Sequence, residues 1–97
     1  MLDLARVVGF DWDEGNARKS SEKHGVGQEE AEEVFSNKPL SILADVLHSQ
    51  SEPRFQALGK TNDGRLLHVT FTLRYDGTKI RVISARDINR KERAFYE

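Results

Sequence analysis

Apolar and polar residues alternate most regularly between Leu66 and Arg74. Leu67, Val69, Phe71 and Leu73 fall in one set, His68, Thr70, Thr72 and Arg74 in the other. Strand side chains point to opposite faces with period 2, so this stretch predicts a strand with one core face and one wet face. A second β-rich run, residues 80–86, follows the pair Asp76-Gly77. Glycine takes a positive φ without a Cβ clash, so the two runs are read as a hairpin. Arg54–Lys60 predicts a third strand, bent at Gly59 and joined to the hairpin through Asn62-Asp63-Gly64. Residues 40–47, largely apolar with Asp45 inside, give a short fourth candidate. Residues 7–12, interrupted by Gly9 and Asp11, read as a first strand at a sheet edge.

Between these runs the spacing is helical. Asp13 stands as an N-cap before a helix over Glu14–His24 that Gly25 ends. That helix has almost no apolar face beyond Ala17, and Lys19 and Lys23 project from one side of it, so it must be held by its neighbours. A second helix, residues 28–36, offers Ala31, Val34 and Phe35 to a core, with Val26 and Ala31 spaced as a hydrophobic staple. Glu29, Glu30, Glu32 and Glu33 crowd its start, where the helix dipole favours anions, and are read as capping and solubility. Asn37-Lys38-Pro39 stops it. Asn89 with Glu92 matches a capping box for a terminal helix bearing Arg90, Lys91, Arg93 and Tyr96. The order predicts an α+β fold: an antiparallel sheet of three to four strands, two N-terminal helices on one face, a short C-terminal helix, and polar side chains on the opposite face.

Ninety-seven residues at 37% hydrophobic suffice for one domain with a modest core, spanning 1–97. The absence of cysteine excludes disulfides and thiolate zinc sites; no apolar run approaches a membrane span, and residues 1–8 are too polar for a signal peptide, so the expected location is cytoplasmic. The net charge of −1 conceals a split. Residues 1–50 hold five Lys/Arg against ten Asp/Glu, and residues 51–97 hold ten against six, making the second half the place to look for an anionic partner. His24, His48 and His68 have no metal-ligand spacing, and there is no phosphate loop or nucleophile elbow, so no metal or cofactor is expected. What remains is cations around a sheet: Arg54, His68, Arg74, Arg81 and Arg86 all lie on or at the ends of the predicted meander. Guanidinium forks bind phosphate oxygens bidentately. RNA can be cleaved without a metal when its 2′-hydroxyl attacks the adjacent phosphate, given a base, an acid and cations. His68 is a candidate base or acid, with Glu52 and Lys23 as rivals; Glu52 also reads as an ion partner for Arg54, and Glu92 as only a cap.

An ordered set of short motifs adds to this: Phe10-Asp11-Trp12-Asp13-Glu14, Asn16, Lys23-His24-Gly25-Val26, Glu30-Ala31 with Val34-Phe35, Arg54 with Gly59, Ile83-Ser84-Ala85-Arg86, and Glu92-Arg93 through Tyr96. Together, over about residues 10–97, they resemble the BrnT toxin family, with residues 1–9 as an N-terminal extension and Asn37-Lys38-Pro39 where an Asp-Pro is typical. The resemblance implies a RelE-like fold and an endoribonuclease toxin of a type II toxin–antitoxin pair. It also implies a hetero-oligomer with a BrnA-like antitoxin whose ribbon-helix-helix part alone contacts operator DNA. It gives Arg54 and Arg86 roles at the catalytic site; His68 stands outside the motifs and rests on strand geometry. Arg74, Arg81, Arg90, Lys91, Arg93 and Tyr96 are the expected RNA contacts, and the antitoxin is expected over the basic half. The competing reading is a non-catalytic nucleic-acid- or protein-binding module of the same fold.

Overall fold

The structure, a computed structural model, describes residues 2–48 and 52–96. Its centre is the predicted meander, β3 (Arg54–Lys60), β4 (Leu66–Arg74) and β5 (Lys79–Asp87), with antiparallel pairing throughout. The expected sheet of three to four antiparallel strands is larger and mixed: five strands in the order β1-β5-β4-β3-β2. β2 (Ser41–Ala44) is antiparallel to β3 at one edge, while β1 (Gly9–Phe10) lies parallel to β5 at the other. Parallel neighbours need a long crossover. Here β1 is joined to the far edge by α1 (Glu14–His24) and α2 (Gln28–Val34), which carry the chain across one face of the sheet.

That face is the core. Leu67, Val69 and Phe71 of β4 meet Ile80, Val82 and Ala85 of β5, Ala57 of β3, and Val26, Ala31 and Val34 from the helical layer, all essentially without solvent exposure. Phe71 packs edge-on against Phe35 and stacks on Phe55, with ring centroids 5.1 and 5.4 Å away. Gly59 pairs in regular register with Leu67, and its want of a side chain serves packing. A Cβ there would lie 2.7 Å from Val34 Cγ1, so the missing side chain admits α2 close to the sheet. The turn after β4 does need glycine: Tyr75, Asp76 and Gly77 run at φ 55, 58 and 82°.

α1 has the predicted bounds and the predicted poverty of apolar residues, and its buried positions are polar. Asn16 and Ser20 are its buried side chains. Asn16 completes a capping box with Asp13 (2.7 and 3.1 Å), and its Nδ2 donates to Val82 O at 2.9 Å. Ser20 Oγ accepts from Ala85 N at 3.1 Å. β1 is only two residues long, so these side chains satisfy β5 backbone groups where the strand partner ends. Around α2, each of three glutamates read as capping and solubility has a particular partner. Glu30 accepts from Gly27 N and Arg65, Glu32 from Trp12 Nε1 at 2.7 Å, and Glu33 from Asn62 N at 2.9 Å.

The third helix, α3 (Arg90–Tyr96), lies on the face opposite α1 and α2, against β3. The expected wet face is therefore partly covered, and His68 and Thr72 are buried. Among the described residues no helix is long and apolar enough to cross a membrane. Replacing Asn16 with alanine leaves Val82 O and Asp13 N without their partner. It should cost about 2–3 kcal/mol, read as a lower denaturant midpoint at unchanged m-value, whereas Lys19→Ala on the exposed side of the same helix should stay within about 0.5 kcal/mol.

Candidate nucleic-acid cleavage site

The second face of the sheet is built by register. Arg54, Thr72 and Arg81 stand side by side across β3, β4 and β5; Gln56, Thr70 and Ser84 form the next row; Leu58, His68 and Arg86 form the third. Arg81 and Arg86 are five apart, and strict alternation would put them on opposite faces. Thr70 faces Ser84 while Phe71 faces Val82, leaving Ile83 as an extra residue. This bulge rephases β5 so that Ile80, Val82 and Ala85 all enter the core and both arginines reach the other face.

The third row carries the chemistry. Arg86 grips Glu92 of α3 in a two-point pair, Nη1–Oε1 at 2.8 Å and Nη2–Oε2 at 2.7 Å. Glu92 also closes the helix: its Oε1 accepts from Asn89 N at 3.0 Å, and its own N–H donates to Asn89 Oδ1 at 2.8 Å. Arg86 and that cap hold the Glu92 carboxyl below the usual carboxylate range, and Glu92 in turn raises the Arg86 guanidinium. His68 Nε2 lies 3.8 Å from Glu92 Oε2 and 3.2 Å from Gln56 Oε1, and Gln56 Nε2 donates to Asp45 Oδ2 at 3.1 Å. With the amide so oriented, Nε2 carries the proton, and buried Nδ1 is left with a lone pair and no partner. Burial first, then the neighbouring Arg86 charge, pull the His68 pKa below its ordinary value against the opposing pull of Glu92. The imidazole is neutral at neutral pH.

Above this row a groove of about 200 Å³ is lined by Ser41, Leu43, Gln56, Leu58, His68, Lys91, Glu92 and Phe95. A carboxylate and a neutral imidazole therefore line an open cleft, with a preset guanidinium bonded to the carboxylate. Such a set can hold a phosphodiester and exchange protons with its oxygens.

The other sequence candidates are dispersed. Arg54 and Arg81 share the face, but four residues along β4 from His68, about 13 Å away at strand rise. Arg81 is occupied by Asp13 at 2.8 Å and Asp11 at 3.3 Å. Glu52 pairs with Arg74 at 3.0 Å, beyond the far end of the face. Lys23 is exposed at the end of α1, in the helical layer on the other side of the sheet. Arg90, Lys91 and Arg93 are exposed on α3, and Tyr96 anchors it through a 2.6 Å bond to Pro39 O. Three residues of the cluster went unread. Glu92 had already been accounted for by its cap; Gln56 was legible from the alternation of β3; Asp45 left no signal in the sequence.

The profile of the family described as "Ribonuclease toxin, BrnT, of type II toxin-antitoxin system" matches residues 12–92. The chain belongs to the BrnT toxin family. In structure it is similar to the Brucella abortus ribonuclease toxin BrnT solved at 1.1 Å, with a TM-score of 0.63 and 21% identity over 87% of this chain and 100% of that one. No curated protein sequence matches the chain. Much of the set that resembles BrnT proves architectural: Asp13 and Asn16 cap α1, Gly25 ends it at φ 67°, Val26 fills the core and Gly59 makes room for α2. Of the motif residues, Glu92 and Phe95 line the cleft, and Arg86 stands behind Glu92, bonded to its carboxylate.

The neutral burial of His68 has a thermodynamic consequence. In the unfolded chain it protonates near its ordinary value, about 6.5, and in the native protein only at lower pH, so between these values the unfolded state binds more protons. Stability should therefore fall as pH drops below about 6.5, before carboxylates such as Glu92 begin to protonate. Denaturant midpoints at pH 7.5 and 5.5 should differ in the wild type and converge in His68→Asn.

Proposed function

We propose that this chain is the toxin of a type II pair and an endoribonuclease that cleaves messenger RNA without a metal ion. The observation that carries this reading is the Arg86–Glu92–His68 cluster, whose Glu92 and His68 line an open groove, in a family of ribonuclease toxins. In the proposed reaction a base takes the 2′-hydroxyl proton, the 2′-oxygen bonds to phosphorus, and the P–O5′ bond breaks. The departing oxygen gains a proton, leaving a 2′,3′-cyclic phosphate and a 5′-hydroxyl. Arg86 is placed to hold the charge that grows on the phosphoryl oxygens. A phosphate competing for its fork displaces Glu92, whose freed carboxylate then stands beside His68 as a proton acceptor. Arg54 and Arg81, one row-set away, suit a neighbouring stretch of backbone rather than the reacting phosphate. Among the described residues no three His, Cys, Asp or Glu side chains lie together so as to hold a metal. The partner would be a BrnA-like antitoxin with a ribbon-helix-helix part, through which alone the complex meets operator DNA.

A second reading, a binding module of the same fold without catalysis, is favoured by one observation: Arg86 and His68 are already engaged by Glu92 and Gln56. Expression separates the two, since a ribonuclease toxin arrests growth.

Arg86→Ala should lower the cleavage rate about a hundredfold, as loss of a preorganised donor does. Arg86→Lys, which keeps the charge and loses the fork, should fall between. An Arg86→Ala variant with wild-type cleavage would remove the residue from the site. Excess EDTA should leave the rate unchanged; loss of activity restored by a divalent ion would defeat the metal-free mechanism.

A further inference from the structure

Large exposed apolar side chains gather along one edge of the molecule. Leu43 of β2 is 53% exposed, Val46 and Leu47 just beyond it 83% each, and Phe95 of α3 61%. Leu43, Phe95, Leu58 and Lys91 all line the same groove. β2 is the last strand of its sheet, so its outer backbone edge has no strand partner among the described residues. Native proteins blunt such an edge with charge, proline or a covering element, yet β2 reads Ser-Ile-Leu-Ala. An apolar patch beside an unpaired edge marks an interaction surface. The nearby helix supplies the sign of its partner: α3 exposes Arg90 and Lys91, while its single carboxylate within the described residues, Glu92, is taken by Arg86.

We infer that this edge is the seat of the antitoxin: an extended, acidic segment of the partner pairs with β2, sets an apolar side chain between Leu43 and Phe95, and covers Val46 and Leu47. The inference rests on the reading of this chain as the toxin of a pair, and not on the cleavage chemistry. It extends the expectation that the antitoxin covers the basic second half, because β2, Val46 and Leu47 belong to the acidic first half. It also gives neutralisation a physical form. A segment seated there roofs the groove whose floor is His68 and Glu92, and its carboxylates meet Lys91 where RNA phosphate would.

The test uses the full chain and the purified product of the reading frame adjacent to its gene, with the dissociation constant measured by calorimetry. Val46→Ser/Leu47→Ser and Phe95→Ser alter exposed side chains, and thermal melting should confirm that both variants fold. Each should weaken the complex by on the order of thirtyfold or more, as truncation of an interface anchor does. Tyr75→Ser, at the exposed turn between β4 and β5, should bind as the wild type does. Binding by Val46→Ser/Leu47→Ser and Phe95→Ser at wild-type affinity overturns the surface while leaving the pairing intact. No complex with the wild-type chain overturns the pairing and the inference with it. A tight complex that survives Val46→Ser/Leu47→Ser and Phe95→Ser but is lost in Tyr75→Ser overturns the surface and places the antitoxin at the opposite end of the sheet.

Discussion

Strand β5 must satisfy backbone groups on both edges, although its parallel neighbour β1 lasts only two residues. Much of the architecture answers that requirement. β4 takes one edge; on the other, Val8 and Asp11 extend the β1 contact by donating to Thr78 O and Ile80 O, and the side chains of Asn16 and Ser20 serve Val82 and Ala85 further along. A buried carbonyl or amide without a partner costs about 1–3 kcal/mol. The polar face of α1 is thus as necessary to the fold as an apolar face would be elsewhere, and it fixes where α1 lies. The bulge at Ile83 belongs to the same strand: it lets β5 feed the core through Val82 and Ala85 while turning both Arg81 and Arg86 to the other side.

The site follows from what then happens at the end of β5. Arg86 leaves the strand pointing at α3, and its two bonds to Glu92 hold a helix that contributes no buried residue of its own. Seven residues are too few to be stable as an isolated helix in water, so α3 is held in place by the Arg86 pair, the Asn89–Glu92 cap and the Tyr96 bond to Pro39 O. Its placement has two effects at once. It buries His68, which disfavours the charged imidazole, and it brings Lys91, Glu92 and Phe95 to the lining of the groove.

The sequence was most legible where local chemistry decides. The bounds of α1, β3 and β4 and the turn glycines follow from caps, alternation and positive φ, and the structure has them at the expected residues. It was least legible where distant pieces meet. A two-residue β1 has no period to read, and its parallel pairing depends on α1 and α2 crossing the sheet. His68 looked like a half-exposed strand residue because the helix that covers it begins twenty-two positions later. Arg81 and Arg86 looked like members of one cationic cluster. They do share a face, but only through a bulge that nothing in residues 80–86 announces, and they lie at opposite ends of it.

The division of charge along the chain acquires a different meaning in three dimensions. An acidic first half and a basic second half suggested a cationic surface waiting for an anion. In the fold, the second half's arginines reach back to the first half's carboxylates: Arg65 to Glu30, as well as to Asp87, and Arg81 to Asp11 and Asp13. Arg74 is met by Glu52. These pairs tie the helical layer and β1 to the meander, so much of the apparent excess is internal complementarity and contributes little field at a distance, where screening acts within about 10 Å. An anionic ligand on the sheet face must then win by geometry, through the two-point fork of Arg86 and the exposed cations of α3, more than by long-range attraction. A surface of that kind suits a ligand already brought close by other contacts. It also makes the identity of the group occupying the Arg86 fork, carboxylate or phosphate, the variable on which the state of the cleft turns.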